Sequence, residues 1–162
     1  MRAVLHDLLC AAEITVSARI DGPPSATYGE SMAHPARFRD DDPVLVRVRG
    51  IALAFPGSAE RISHGRPNFF TRKTFLHFGA TVKGEHDSRR WEQAIQVLPG
   101  PDERRALLQD GRFFVPGYTA PSGWVGLDLA PEATDWDEVA ELIDMSYRMT
   151  AARKLIAELD AR

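Results

Sequence analysis

The chain has 162 residues, 44% of them hydrophobic and 27% charged, with a formal net charge of −3, which fits one domain with a sizeable core. No apolar run approaches the roughly 20 residues that a bilayer span needs. Cys10 is the only cysteine, which excludes an internal disulfide framework and a cysteine-based zinc site and suits a cytoplasmic location.

In chain order, residues 1–31 read apart from the rest. "MRAVLHDLLCAAEI" is interrupted by His6 and Asp7 and makes a poor signal-peptide core. The "DGPPSATYGES" that follows has a linker-like mixture of Pro, Gly and Ser. Residues 1–31 are expected to be a flexible extension, with Met32 an alternative start and residues 32–162 a single domain. The competing reading is a short N-terminal helix packed on that domain.

Asp42 is a good N-cap and Pro43 suits the first helical position. Val44, Leu45, Val48, Ile51, Ala52 and Phe55 then form one apolar stripe, ended by Pro56-Gly57. From Ala59 the pattern turns to short strands. "ERISH" is one, and "PNFFT" with "TFLHFGATV" predicts a hairpin turning near Arg72-Lys73. Along its second arm, alternation puts Leu76, Phe78, Ala80 and Val82 on a core face, and Phe75, His77, Thr81 and Lys83 on a face towards water or a ligand. "AIQVLPG" is a further strand, and "PDERRALLQ" is a short helix with acids in its first turn, as the helix dipole prefers. "RFFVPGY" and "GWVGLDL" are two more strand-like segments. Asp135 caps a long last helix, with Glu138 completing a capping-box pattern and Val139, Leu142, Ile143 and Met149 striping one side. The expected fold class is α+β: an N-terminal helix, an antiparallel sheet of about five strands with a short inserted helix, and a long C-terminal helix, the helices covering one face.

Between Pro43 and Leu127 cations outnumber acids twelve to seven, while residues 1–42 and 128–162 are both acidic on balance. A basic middle between acidic ends points to an anionic partner for the middle; a chance spread of solvated charge is the alternative.

The segments "ALAFPGSAERISHGRPNFF", "KTFLHFGATVK", "DGRFFVPGYTAPSGWVGLDL" and "DWDEVAELIDMSYRM", in this order and spacing, resemble the MmcQ/YjbR family over about residues 43–155. The resemblance implies a frataxin-like fold with a "double wing" arrangement and a DNA-binding label. That label is a fold-level inference. Relatives tend to carry a proline where this chain has Ala151-Ala152, so the last helix is expected to run on unbroken here.

No catalytic residue is expected. "PSGWVG" places its serine wrongly for a nucleophile elbow, and "GATVKG" lacks the lysine–hydroxyl pair of a phosphate-binding loop. His64, His77 and His86 with Glu85 and Asp87 have no metal-ligand spacing, and Asp40-Asp41-Asp42 is explained by helix capping; neither a metal nor a cofactor is expected. The sharper reading is a non-enzymatic binding module with DNA as the leading partner, Arg and Lys meeting phosphates beside an aromatic ring. Its candidate residues are His64, Arg66, Arg72, Lys73, Lys83, Arg89 and Arg90, with Phe75 as the exposed aromatic and Arg72-Lys73 at the hairpin tip foremost. A small-ligand or protein-interaction domain is the alternative, with Trp124 and Tyr147 as cleft candidates between helix and sheet. An unrecognised enzyme ranks third.

Overall fold

The computed structural model describes residues 35–84, 89–129 and 134–162; the expected extension over residues 1–31, Met32, and the segment containing Glu85, His86 and Asp87 lie outside them. The elements are helix α1 (Pro43–Ala52), strands β1 (Ala59–Ser63), β2 (Arg66–Phe70), β3 (Thr74–Phe78) and β4 (Ala94–Val97), helix α2 (Pro101–Leu107), the two-residue β5 (Phe113–Phe114), β6 (Val125–Asp128), and helices α3 (Trp136–Thr150) and α4 (Arg153–Asp160). All strand pairings are antiparallel, in the order β1-β2-β3-β4-β6-β5. The α+β class is as expected. The sheet has six strands, one in each of the six strand-like segments of the sequence, with "RFFVPGY" reduced to the two-residue edge strand β5 beside β6.

The helices share one face of the sheet. Asp42 caps α1 by accepting from the Val44 N–H at 2.9 Å, and Asp135 caps α3 by accepting from Asp137 and Glu138 N–H, each satisfying donors that a helix start leaves open. Glu138 does not return the bond of a capping box; its carboxylate pairs with Arg112 at 2.7 Å instead. Leu45, Val48, Ile51 and Ala52 of α1 and Val139, Ala140, Leu142, Ile143 and Tyr147 of α3 meet Phe69, Leu76, Phe78, Ile95, Val97, Val125 and Leu127 of the sheet in one core.

Phe75 overturns its expected orientation. Phe69 pairs with Leu76 while Phe70 pairs with Thr74, so Phe75 is an extra residue in β3, a β-bulge. The bulge breaks the alternation that assigned Phe75 to the outer face. Phe75 and Leu76 are instead both fully buried, with the Phe75 ring 5.3 Å from Tyr147 and 6.1 Å from Phe55. Ser146 of α3 donates its hydroxyl to the Phe75 carbonyl and accepts from the Leu98 N–H at 2.8 Å, supplying partners to two buried backbone groups.

The last helix breaks, against expectation. Ala151 and Ala152 both have extended backbone (ψ 153° and 146°). Thr150 Oγ1 bonds back to the Ser146 and Tyr147 carbonyls, and α4 turns to pack Leu155, Ile156 and Leu159 on the core. An ion pair between Arg148 and Asp160 at 2.8 Å and the Arg162 bond to the Ala54 carbonyl hold it there. Tertiary packing overrides the helix preference of alanine.

Candidate functional site

The expected basic face splits. β1 and β2 join through His64-Gly65, both at positive φ (52° and 72°), the pattern of a two-residue hairpin turn. The β2–β3 turn carries Arg72 and Lys73, both exposed, at the other end of the strands. Five residues separate these ends by roughly 17 Å, so the hairpin tip and the remaining cations do not form one patch.

The His64 end is the richer one. Arg37 N–H bonds to the Gly65 carbonyl at 2.8 Å, bringing the segment before α1 onto this turn. Arg66 lies across Gly79 and donates to the Ala80 carbonyl at 3.1 Å, while its Nη1 is buried without a partner. Burial, and then the charge of Arg37, make the Arg66 guanidinium easier to deprotonate than usual, against the pull of Glu92; an arginine nonetheless keeps its charge. Beneath the start of α1 lies a depression of about 550 Å³ lined by Arg37, Arg39, Arg89 and Arg90, by Asp42 and Glu92, and by Phe38 and Phe78 among others. Arg39 pairs with Asp41 and Arg89 with Glu92. Asp42 serves the helix cap and Gln93, so its charge is already engaged. Arg37 and Arg39 were not singled out in the sequence, because a lead-in to a helix gives no sign that it will meet a turn 28 residues later.

The other face of the sheet carries no α-helix among the described residues, only a single 3₁₀ turn at Ala120–Ser122 between Thr119 and Trp124. Its register aligns Arg61, Asn68, His77, Gln96 and Gly126 across five strands. Over β4 and β6 the face is covered. The Phe114 ring lies over Gly126, where any Cβ would stand 2.2 Å from it, and stacks on Trp91 at 4.1 Å. Thr119 donates to Gln96, whose amide donates to the Gly79 carbonyl. Lys83 is exposed in this covering layer, where Gly117 meets its backbone. Over β1–β3, His77 Nδ1 bonds Asn68 Oδ1, and the His77 ring stands edge-on to Trp124 at 4.5 Å. Burial above all, then Arg61 and His64, push the His77 pKa down to about 4. Asn68 and Gln96 were missed in the sequence; the signal was a lone amide inside each of two apolar runs, "PNFF" and "AIQV".

The two cleft candidates do not meet. Trp124 belongs to the helix-free face. Tyr147 lies on the helix side, fully buried, with its hydroxyl donated to the Pro56 carbonyl at 2.7 Å and its ring 4.7 Å from Phe55. Tyr147 fills the helix–sheet interface rather than lining an opening, and burial raises its pKa. Among the described residues no group of three or more His, Cys, Asp or Glu side chains gathers as metal ligands, and no helix is long and apolar enough to cross a membrane.

Fold and site together define a small α+β domain with helices on one sheet face, a polar row on the other and an arginine-rich depression at one sheet end. The model of the YjbR family matches residues 53–149, more than half of the chain, and the chain belongs to that family. No curated protein matches it.

Proposed function

We propose that this protein is a non-enzymatic, cytoplasmic binding module that holds DNA by its phosphate backbone at the His64 end of the sheet. The observation that carries the reading is the gathering of Arg37, Arg39, Arg89 and Arg90 around one depression, beside the partly desolvated Arg66. Arg66 has no carboxylate bonded to it among the described residues and adds its positive charge to this end of the sheet without itself reaching solvent through Nη1. Arg72 and Lys73, at the far end, are secondary in this reading.

Fluorescence anisotropy of labelled duplex and single-stranded DNA over a salt series tests it. Expected is binding whose log K falls with log salt at a slope of about −3, that is, about three phosphates. The pair Arg89→Glu and Arg90→Glu removes most of that slope, whereas Arg72→Glu with Lys73→Glu leaves it within about one unit. Absence of binding at about 50 mM salt, where phosphate contacts are favoured, overturns the DNA reading.

A further inference from the structure

We propose that the helix-free face over β1–β3 holds a separate binding site for a small organic anion bearing an O–H or N–H donor, with His77 Nε2 as the acceptor and Arg61 as the counter-charge. This site does not rest on DNA binding at the sheet end.

The hydrogen-bond network fixes the state of His77. Asn68 faces the Ser63 and Arg66 carbonyls at 3.5 and 3.3 Å. Carbonyls only accept, so the amide nitrogen of Asn68 is the atom turned towards them. Its oxygen therefore faces His77 Nδ1, and Nδ1 carries the proton. That leaves Nε2 with its lone pair, an acceptor in a defined direction. Among the described residues no protein group bonds Nε2, and His77 as a whole is only partly buried. Asn68 is only 3% exposed and Trp124 only 7%. The imidazole is thus held by two buried side chains, with Nε2 left as its one acceptor without a protein partner among the described residues.

Arg61 supplies the charge. It is exposed, donates to Thr74 Oγ1 at 3.0 Å, and lies 4.7 Å over the Phe70 ring. No carboxylate pairs with it among the described residues. Arg61 faces Asn68 on the next strand, and Asn68 faces His77 on the one after, which sets Arg61 and His77 roughly 9.5 Å apart at the backbone. The positive field that disfavours a proton on His77 favours an anion beside it. A ligand with charge alone would leave Nε2 unused, and a neutral donor would leave Arg61 unused; the two groups select a molecule with both.

Long-range ¹H–¹⁵N NMR of the His77 ring in the full chain tests the proposal with four probes. AMP and L-malate carry both charge and donor, sulfate carries charge only, and adenosine carries the donor only. Expected at millimolar concentration is a shift of the Nε2 resonance with AMP or malate that sulfate and adenosine do not reproduce. Which of the two acts separates a nucleotide from a hydroxy acid. Arg61→Gln, at an exposed position that leaves the fold intact, weakens the effective probe about tenfold, and His77→Phe abolishes its binding. The proposal is overturned if neither AMP nor malate moves Nε2, if sulfate or adenosine moves it equally, or if Arg61→Gln leaves the affinity unchanged.

Discussion

The two faces of the sheet are built on different chemistry. Towards the helices every strand from β2 to β6 offers apolar side chains, and Phe69, Phe75, Leu76, Ile95, Val97 and Val125 are fully buried there. The opposite face buries Asn68 and Gln96, and it does so with hydrogen bonds at both amide atoms. Buried amides are costly when unpaired and nearly neutral when paired. The polar row therefore adds little to stability while fixing the directions of its groups. The helix side holds the domain together, and the helix-free side fixes the directions of its polar side chains.

The largest test of that contrast is Phe75→Ala against Phe70→Ala. The first empties a fully buried site and is expected to cost about 3–5 kcal/mol in urea denaturation. The second trims a half-buried ring on the other face and costs well under half of that. Equal losses would erase the distinction between the faces.

Next in size is an acid transition that belongs to the helix-free side. His77 titrates at about 4 in the folded protein and at about 6.5 when unfolded. Between those values the unfolded chain binds the additional proton, so stability falls as pH drops from about 6.5 to about 4, by on the order of 3 kcal/mol. Asp41 and Asp110, held low by Arg39 and Arg112, act in a lower window. Their contribution is present above about 3.8, the unfolded value, and is lost as pH falls through their folded values. In His77→Phe the upper step should vanish from the stability–pH curve. A step that persists would assign it to other groups.

The smallest of the three sharpens how the helix side tolerates its bulge. Ser146→Ala leaves the Phe75 carbonyl and the Leu98 N–H without their partner, and about 2 kcal/mol should be lost. Hydrogen exchange should rise at Leu98 before it rises in the centre of β4. Unchanged exchange there would mean that the hydroxyl is dispensable.

Local chemistry was legible in the sequence. Asp42 and Asp135 are caps because their side chains face the N–H groups of their own first turns, and the hairpin at Arg72-Lys73 follows from alternation on either side. What depends on the third dimension was not. Alternation cannot reveal an extra residue in β3, so Phe75 was assigned to the wrong face. Cations close in sequence order, Arg66 and Arg72, are sent to opposite ends because an antiparallel strand carries them apart. The break at Ala151-Ala152 has no breaker residue; it accompanies the packing of Leu155, Ile156 and Leu159 on the core, which only the folded chain contains. Of the seven candidate cations, His64 and Arg66 share an end with Arg89 and Arg90, while Lys83, Arg72 and Lys73 do not join them.

The bulge in β3 also changes an arithmetic of supply. A regular five-residue strand in a sheet covered on one side sends two or three side chains inward, every second one. β3 sends Phe75, Leu76 and Phe78 inward and still returns to phase in time to place His77 outward. Three large apolar groups thus come from four consecutive positions, beneath a helix layer that has only one face to fill. In a domain where surface is large relative to volume, one irregular residue lets the same short strand furnish three fully buried apolar groups on one face and a hydrogen-bonded histidine on the other.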